Sequence, residues 1–80
     1  MNAVACPEGR AGRREWLASV GAGTVRVRCG FTLATIGAAL GVYPMTVQRW
    51  ETGSRVPTGA QGEAYCRVIA GLARHLEATA

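Results

Sequence analysis

The chain has 80 residues, with nine arginines against five glutamates, no lysine, no aspartate and one histidine, for a net charge of +4. A chain of this length makes one domain and buries only about 60% of its unfolded surface, which leaves no room for a deep catalytic cleft beside a stable core. About half of the residues are apolar (49%), many of them alanine, in a chain with 11 glycines, a mix suited to small helices in close contact. The positive charge favours a polyanionic partner.

Residues from Met1 to about Gly12 include Pro7, Gly9 and Gly12 and lack periodicity, which reads as a flexible segment. With Arg13 and Arg14 it forms a basic N-terminal tail over 1–14, ahead of a domain over 15–80. Arg13-Arg14-Glu15-Trp16-Leu17 has the look of a twin-arginine export signal. The apolar stretch after it is glycine-rich, stops at Arg26 and is followed by no small-residue cleavage site, so a cytoplasmic protein is expected. No run approaches the roughly 20 apolar residues of a membrane-spanning helix.

Trp16, Leu17, Val20 and Val25 predict a first helix running toward Cys29, weakened by Gly21 and Gly23 and ended by Gly30. Thr32 caps a second helix whose inward residues are Ile36 and Leu40, with Ala39 beside them, and Gly41 ends it. Pro44 suits the first position of a third helix, with Val47 and Trp50 facing inward and Gly53 closing it. Thr58-Gly59-Ala60-Gln61 fits a capping box in which Gln61 reaches back to the Thr58 amide. Ala64 or Tyr65, Val68, Ile69, Leu72 and Leu76 then line one face of a last helix. The predicted architecture is all-α, with four or five helices.

The segment from Thr32 to Glu51 meets several requirements in register. Gly37 supplies a very small residue where two helices cross, Gly41 supplies the turn, and Ile36, Leu40, Val42, Val47 and Trp50 close the corner. With Trp50-Glu51-Thr52-Gly53-Ser54-Arg55-Val56-Pro57 after it, this stretch resembles the phage-repressor and Cro-like (XRE-type) helix-turn-helix family. The resemblance covers about residues 19 to 75. Leu33 stands where that family usually has a polar residue, Tyr43 where it has a serine-like cap, and Gly37 where alanine is commoner.

The resemblance implies a compact lambda-repressor-like domain that binds double-stranded DNA and regulates transcription, as a repressor on a two-fold operator. It makes the third helix the recognition helix. Met45, Gln48, Arg49 and Thr52, spaced i, i+3, i+4 and i+7, then face base edges in the major groove. Arg49 suits guanine, Gln48 adenine and Met45 a thymine methyl. Thr32, Thr46, Ser54 and Arg55, near helix starts and the following loop, suit phosphates. Arg26 and Glu51 match positions that form a structural ion pair in the family. Arg10, Arg13 and Arg14 suit either a minor-groove arm or a solubilising tail.

A homodimer is expected, formed in solution or only on DNA, with Leu72 and Leu76 on the last helix as its contact. The alternative is an antitoxin-type or adaptor protein that uses the same fold mainly for protein–protein interaction. No enzyme activity is expected, because His75 lacks an aspartate partner. Cys6, Cys29 and Cys66 form neither a disulfide framework nor zinc-site spacing, so no metal or cofactor is expected. No membrane or small-molecule ligand is expected either, since there is no second domain to sense one. The expected location is the cytoplasm, on the nucleoid, and the size suggests a phage or other mobile element as the source.

Overall fold

The computed structural model of the chain describes residue 7 and residues 9–79. The expected tail over 1–6 and at 8 lies outside them. Five helices follow in order: α1 (Arg10–Val20), α2 (Ala22–Arg28), α3 (Leu33–Leu40), α4 (Pro44–Thr52) and α5 (Gly59–Thr79). There is no strand among the described residues, and they pack into a body of 30 × 27 × 19 Å. None of these helices is long and apolar enough to cross a membrane.

The single first helix expected from Trp16 to Cys29 is two helices, and the first starts earlier. Arg10, Arg13 and Arg14 stand on α1 rather than in a flexible tail. Gly21, left-handed at φ 70°, ends α1 and begins α2; that conformation is open to glycine at little cost. The break lets Trp16 and Leu17 of α1 and Ala22 of α2 enter the same core. Arg13 ties α1 down, its Nη1 donating to the Pro57 carbonyl at 2.8 Å and its Nε to the Pro7 carbonyl at 3.2 Å.

The α3–α4 pair is the tightest part of the fold. Thr32 Oγ1 accepts from the Thr35 amide at 3.0 Å and caps α3. Gly41 ends α3 in the left-handed region, and the Val42 amide donates back to the Gly37 carbonyl at 2.9 Å. A Cβ on Gly37 would sit 2.6 Å from the Val42 carbonyl oxygen, so even alanine would force the turn away. Pro44 then starts α4. Ile36, Val47 and Trp50 are buried, while Leu40 is only half-buried and Ala39 is exposed, so the inward face of α3 is narrower than its spacing suggested.

Helix α5 supplies the floor. Tyr65, Cys66 and Ile69 are fully buried, and the Tyr65 ring lies 4.9 Å from that of Trp50. A Cβ on Gly62 would meet the Pro57 backbone at 2.5 Å, so glycine is what lets the start of α5 lie against Pro57. Gln61 does not close a capping box on Thr58. Its amide nitrogen reaches across to α3 instead and donates to the Gly41 carbonyl at 3.2 Å. The end of α3 leaves carbonyls without helical partners, and the Gln61 amide nitrogen supplies a donor to them.

Candidate nucleic-acid interface

Helix α4 has two unlike faces. Val47 and Trp50 point inward, 0% and 7% exposed. Met45, Gln48, Arg49 and Thr52 are all exposed on the opposite side. Met45 is 54% exposed, an apolar residue that the fold does not use. Arg49 makes no ion pair among the described residues, since the only carboxylate partners there belong to Arg26 and Arg67. Thr52 is more constrained: its hydroxyl lies 3.0 Å from that of Ser54 and 3.4 Å from the Arg49 carbonyl. Thr52 and Ser54 therefore brace the α4–α5 loop as well as facing outward.

What holds this face in place lies beneath it. Arg26 Nε donates to Glu51 Oε2, and Arg26 Nη2 donates to Glu51 Oε1 at 3.2 Å. The two side chains are 13% and 9% exposed. A third donor of the same guanidinium, Nη1, reaches the Phe31 carbonyl at 2.7 Å. Arg26 thus joins α2, the loop before α3 and the end of α4 in a planar, fork-like arrangement suited to arginine. Gly23 makes room for it, because a Cβ there would lie 3.0 Å from Glu51 Oε1. Glycine at 23, which weakens the helix by propensity, thus leaves the Glu51 carboxylate free of a close contact.

Tyr65 lies under the same region. Its hydroxyl is buried without a hydrogen-bond partner among the described residues. Burial, and then the negative charge of Glu51, raise its pKa well above the usual phenol value. Tyr65 therefore stays a neutral part of the core.

Of the residues expected to meet phosphate, Thr46, Ser54 and Arg55 line one cleft, an open space of about 660 Å³ beside the start of α4. Arg10 and Arg14 line it too. Thr32 is exposed at the start of α3, its hydroxyl shared between the Thr35 amide and the Thr35 hydroxyl. Leu33, at the position where a polar residue was expected, packs against the core. Both readings of Arg10, Arg13 and Arg14, a minor-groove arm and a solubilising tail, put them on an extended segment, whereas they stand on α1. A helix cannot thread a groove as an extended arm, and Arg13 is already committed to backbone carbonyls.

Sequence reasoning missed Tyr43. It is 81% exposed at the residue preceding α4, on the rim of the same cleft. Its signal was the exception already noted: an aromatic ring at a cap position where a small hydroxyl would satisfy the helix.

A second open space, of about 730 Å³, lies between the end of α2 and the end of α5. Arg28, Cys29, Phe31, Leu72, His75 and Leu76 line it. Phe31 is 38% exposed, and Leu72 and Leu76 are half-buried against a small satellite cluster of Val25 and Ala73. Compared with protein-family models, with curated proteins and with solved structures, the chain shows no match.

Proposed function

We propose that the protein binds double-stranded DNA in a sequence-specific manner and regulates transcription, as a repressor that occupies a two-fold operator. One observation carries this reading: α4 holds Met45, Gln48 and Arg49 exposed on one face while its other face is locked into the core. A helix fixed in this way can enter a major groove, which accepts an α-helix, and its side chains suit base edges there. The likeness of residues 32–57 to the Cro-like helix-turn-helix, and the arginine-rich surface, support the same reading. On it, the protein works in the cytoplasm, on the nucleoid, and needs no cofactor.

One helix reads few base pairs, so the reading includes a homodimer with half-sites roughly 34 Å apart. The groove lined by Phe31, Leu72 and Leu76 supplies an apolar contact for it. The same groove favours a second reading, an adaptor or antitoxin-type protein that uses it to hold a different polypeptide.

Selection of bound sequences from a library of random duplexes, with the purified full chain, tests the proposal. Enrichment of a short motif in inverted repeat supports it. Binding without enrichment would remove sequence specificity, and no binding at low salt would leave the adaptor reading.

A further inference from the structure

Six of the nine arginines make no ion pair and no side-chain hydrogen bond among the described residues: Arg10, Arg14, Arg28, Arg49, Arg55 and Arg74. Three of them meet at one cleft. Arg10 and Arg14 lie four residues apart on α1, hence on one face of that helix, and Arg55 comes from the α4–α5 loop opposite. Thr46, Ser54 and Tyr43 add hydroxyl groups to the lining. Like charges at i and i+4 repel each other, and Arg10 also sits in the first turn of a helix with no acidic residue there, where the helix dipole disfavours a cation. This arrangement is unfavourable in the protein alone and becomes favourable when an anion enters the cleft.

We infer that Arg10, Arg14 and Arg55 form a phosphate clamp that grips the DNA backbone beside the recognition helix, with α1 as an added wall of the interface. This rests on the DNA-binding reading above. The cleft adjoins the first residues of α4, since Tyr43 and Thr46 line it, so a backbone flanking the groove entered by α4 passes its mouth. The clamp is rigid. Trp16 and Leu17 anchor α1 in the core, and Arg13 fixes it to the Pro57 carbonyl, which keeps Arg10 and Arg14 in the lining of the cleft they share with Arg55. An arginine guanidinium offers paired N–H donors that match phosphate oxygens. The contact carries no base information, so it strengthens binding to every sequence alike.

The test is the salt dependence of binding by the full chain, measured on a random-sequence duplex and on a selected site. Each phosphate neutralised contributes about 0.9 to the slope of log affinity against log salt. The double variant Arg10→Ala/Arg14→Ala should flatten that slope by about two on both duplexes and leave the ratio of the two affinities unchanged. Arg10→Lys/Arg14→Lys should keep the wild-type slope. Arg74→Ala, whose residue lies roughly 20 Å along α5 from the cleft at 1.5 Å per residue, should also leave it unchanged. Both side chains of the double variant are exposed and their mutual repulsion is removed, so its thermal unfolding should lie at or slightly above that of wild type.

An unchanged slope in the double alanine variant would overturn the clamp. So would loss on the selected site alone, which would make these arginines base contacts. A flattened slope in a protein that does not discriminate between sequences would keep the clamp and reject the specific regulator.

Discussion

The two faces of α4 answer to different demands, although they share nine residues. Inward, Val47 and Trp50 fill the core and Glu51 receives two bonds from one guanidinium, so almost every group there has its partner within the molecule. Outward, Met45, Gln48 and Arg49 are exposed, and the Gln48 and Arg49 side chains make no ion pair or hydrogen bond among the described residues. The fold is specified by the first set, and the second is left free for chemistry with another molecule. Substitutions that respect this division should separate stability from binding, and substitutions that ignore it should mix the two.

The largest effect falls on the inward face. Trp50→Ala removes a ring 7% exposed and stacked at a tilt on Tyr65, and should cost about 3–5 kcal/mol of stability. In a domain this small, that loss is enough to leave much of it unfolded at 37 °C. A Trp50→Ala protein with an unchanged denaturant midpoint would show that α4 is not anchored as described.

Next comes the ion pair beneath the helix. Glu51→Ala strands a guanidinium only 13% exposed, and should cost about 3 kcal/mol, the lower end of the range for breaking a buried pair. Arg26 keeps its bond to the Phe31 carbonyl, which holds the loss to that end. Chemical denaturation measures it, and a loss below about 1 kcal/mol would mean the pair behaves as a surface one.

Tyr65 gives a smaller, pH-dependent effect. Its folded pKa is raised by burial, so its contribution to stability is full below the unfolded value of about 10 and falls as pH rises past it. Tyr65→Phe removes a buried hydroxyl that has no hydrogen-bond partner among the described residues. It should change stability at pH 7 by less than about 1 kcal/mol and flatten the decline above pH 10. An equally steep alkaline decline in the variant would assign that titration elsewhere.

Legibility divides along similar lines. The α3–α4 corner could be read from sequence because each of its needs is met by a distinctive residue. Thr32 caps, Gly41 and Gly53 take left-handed turns, Pro44 opens a helix, and Gly37 makes way for a carbonyl oxygen. These are local requirements, visible within a few positions. The misread features are those settled by distant partners. Gln61 satisfies a carbonyl 20 residues away rather than its own helix start. Gly62 makes way for the Pro57 backbone, and Gly23 lies close against the Glu51 carboxylate. Helix α1 begins at Arg10 because Trp16, Leu17 and the Arg13–Pro57 bond hold it to the rest of the molecule, where the glycines and Pro7 alone suggested a loose tail. Among the candidate site residues, the exposed stripe on α4 was legible from helical spacing. The gathering of Arg10 and Arg14 with Arg55 was not, since it depends on how α1 folds back across the loop.

The most direct test of this division is Arg49→Ala, read by two measurements on one protein. Arg49 is exposed, with no ion pair among the described residues, so stability should stay within about 0.5 kcal/mol of wild type. Affinity for the selected site should fall by about 1–3 kcal/mol while affinity for random duplex holds. A loss of stability, or an equal loss on both duplexes, would contradict the claim that the outward face of α4 reads sequence and leaves the fold to the inward one.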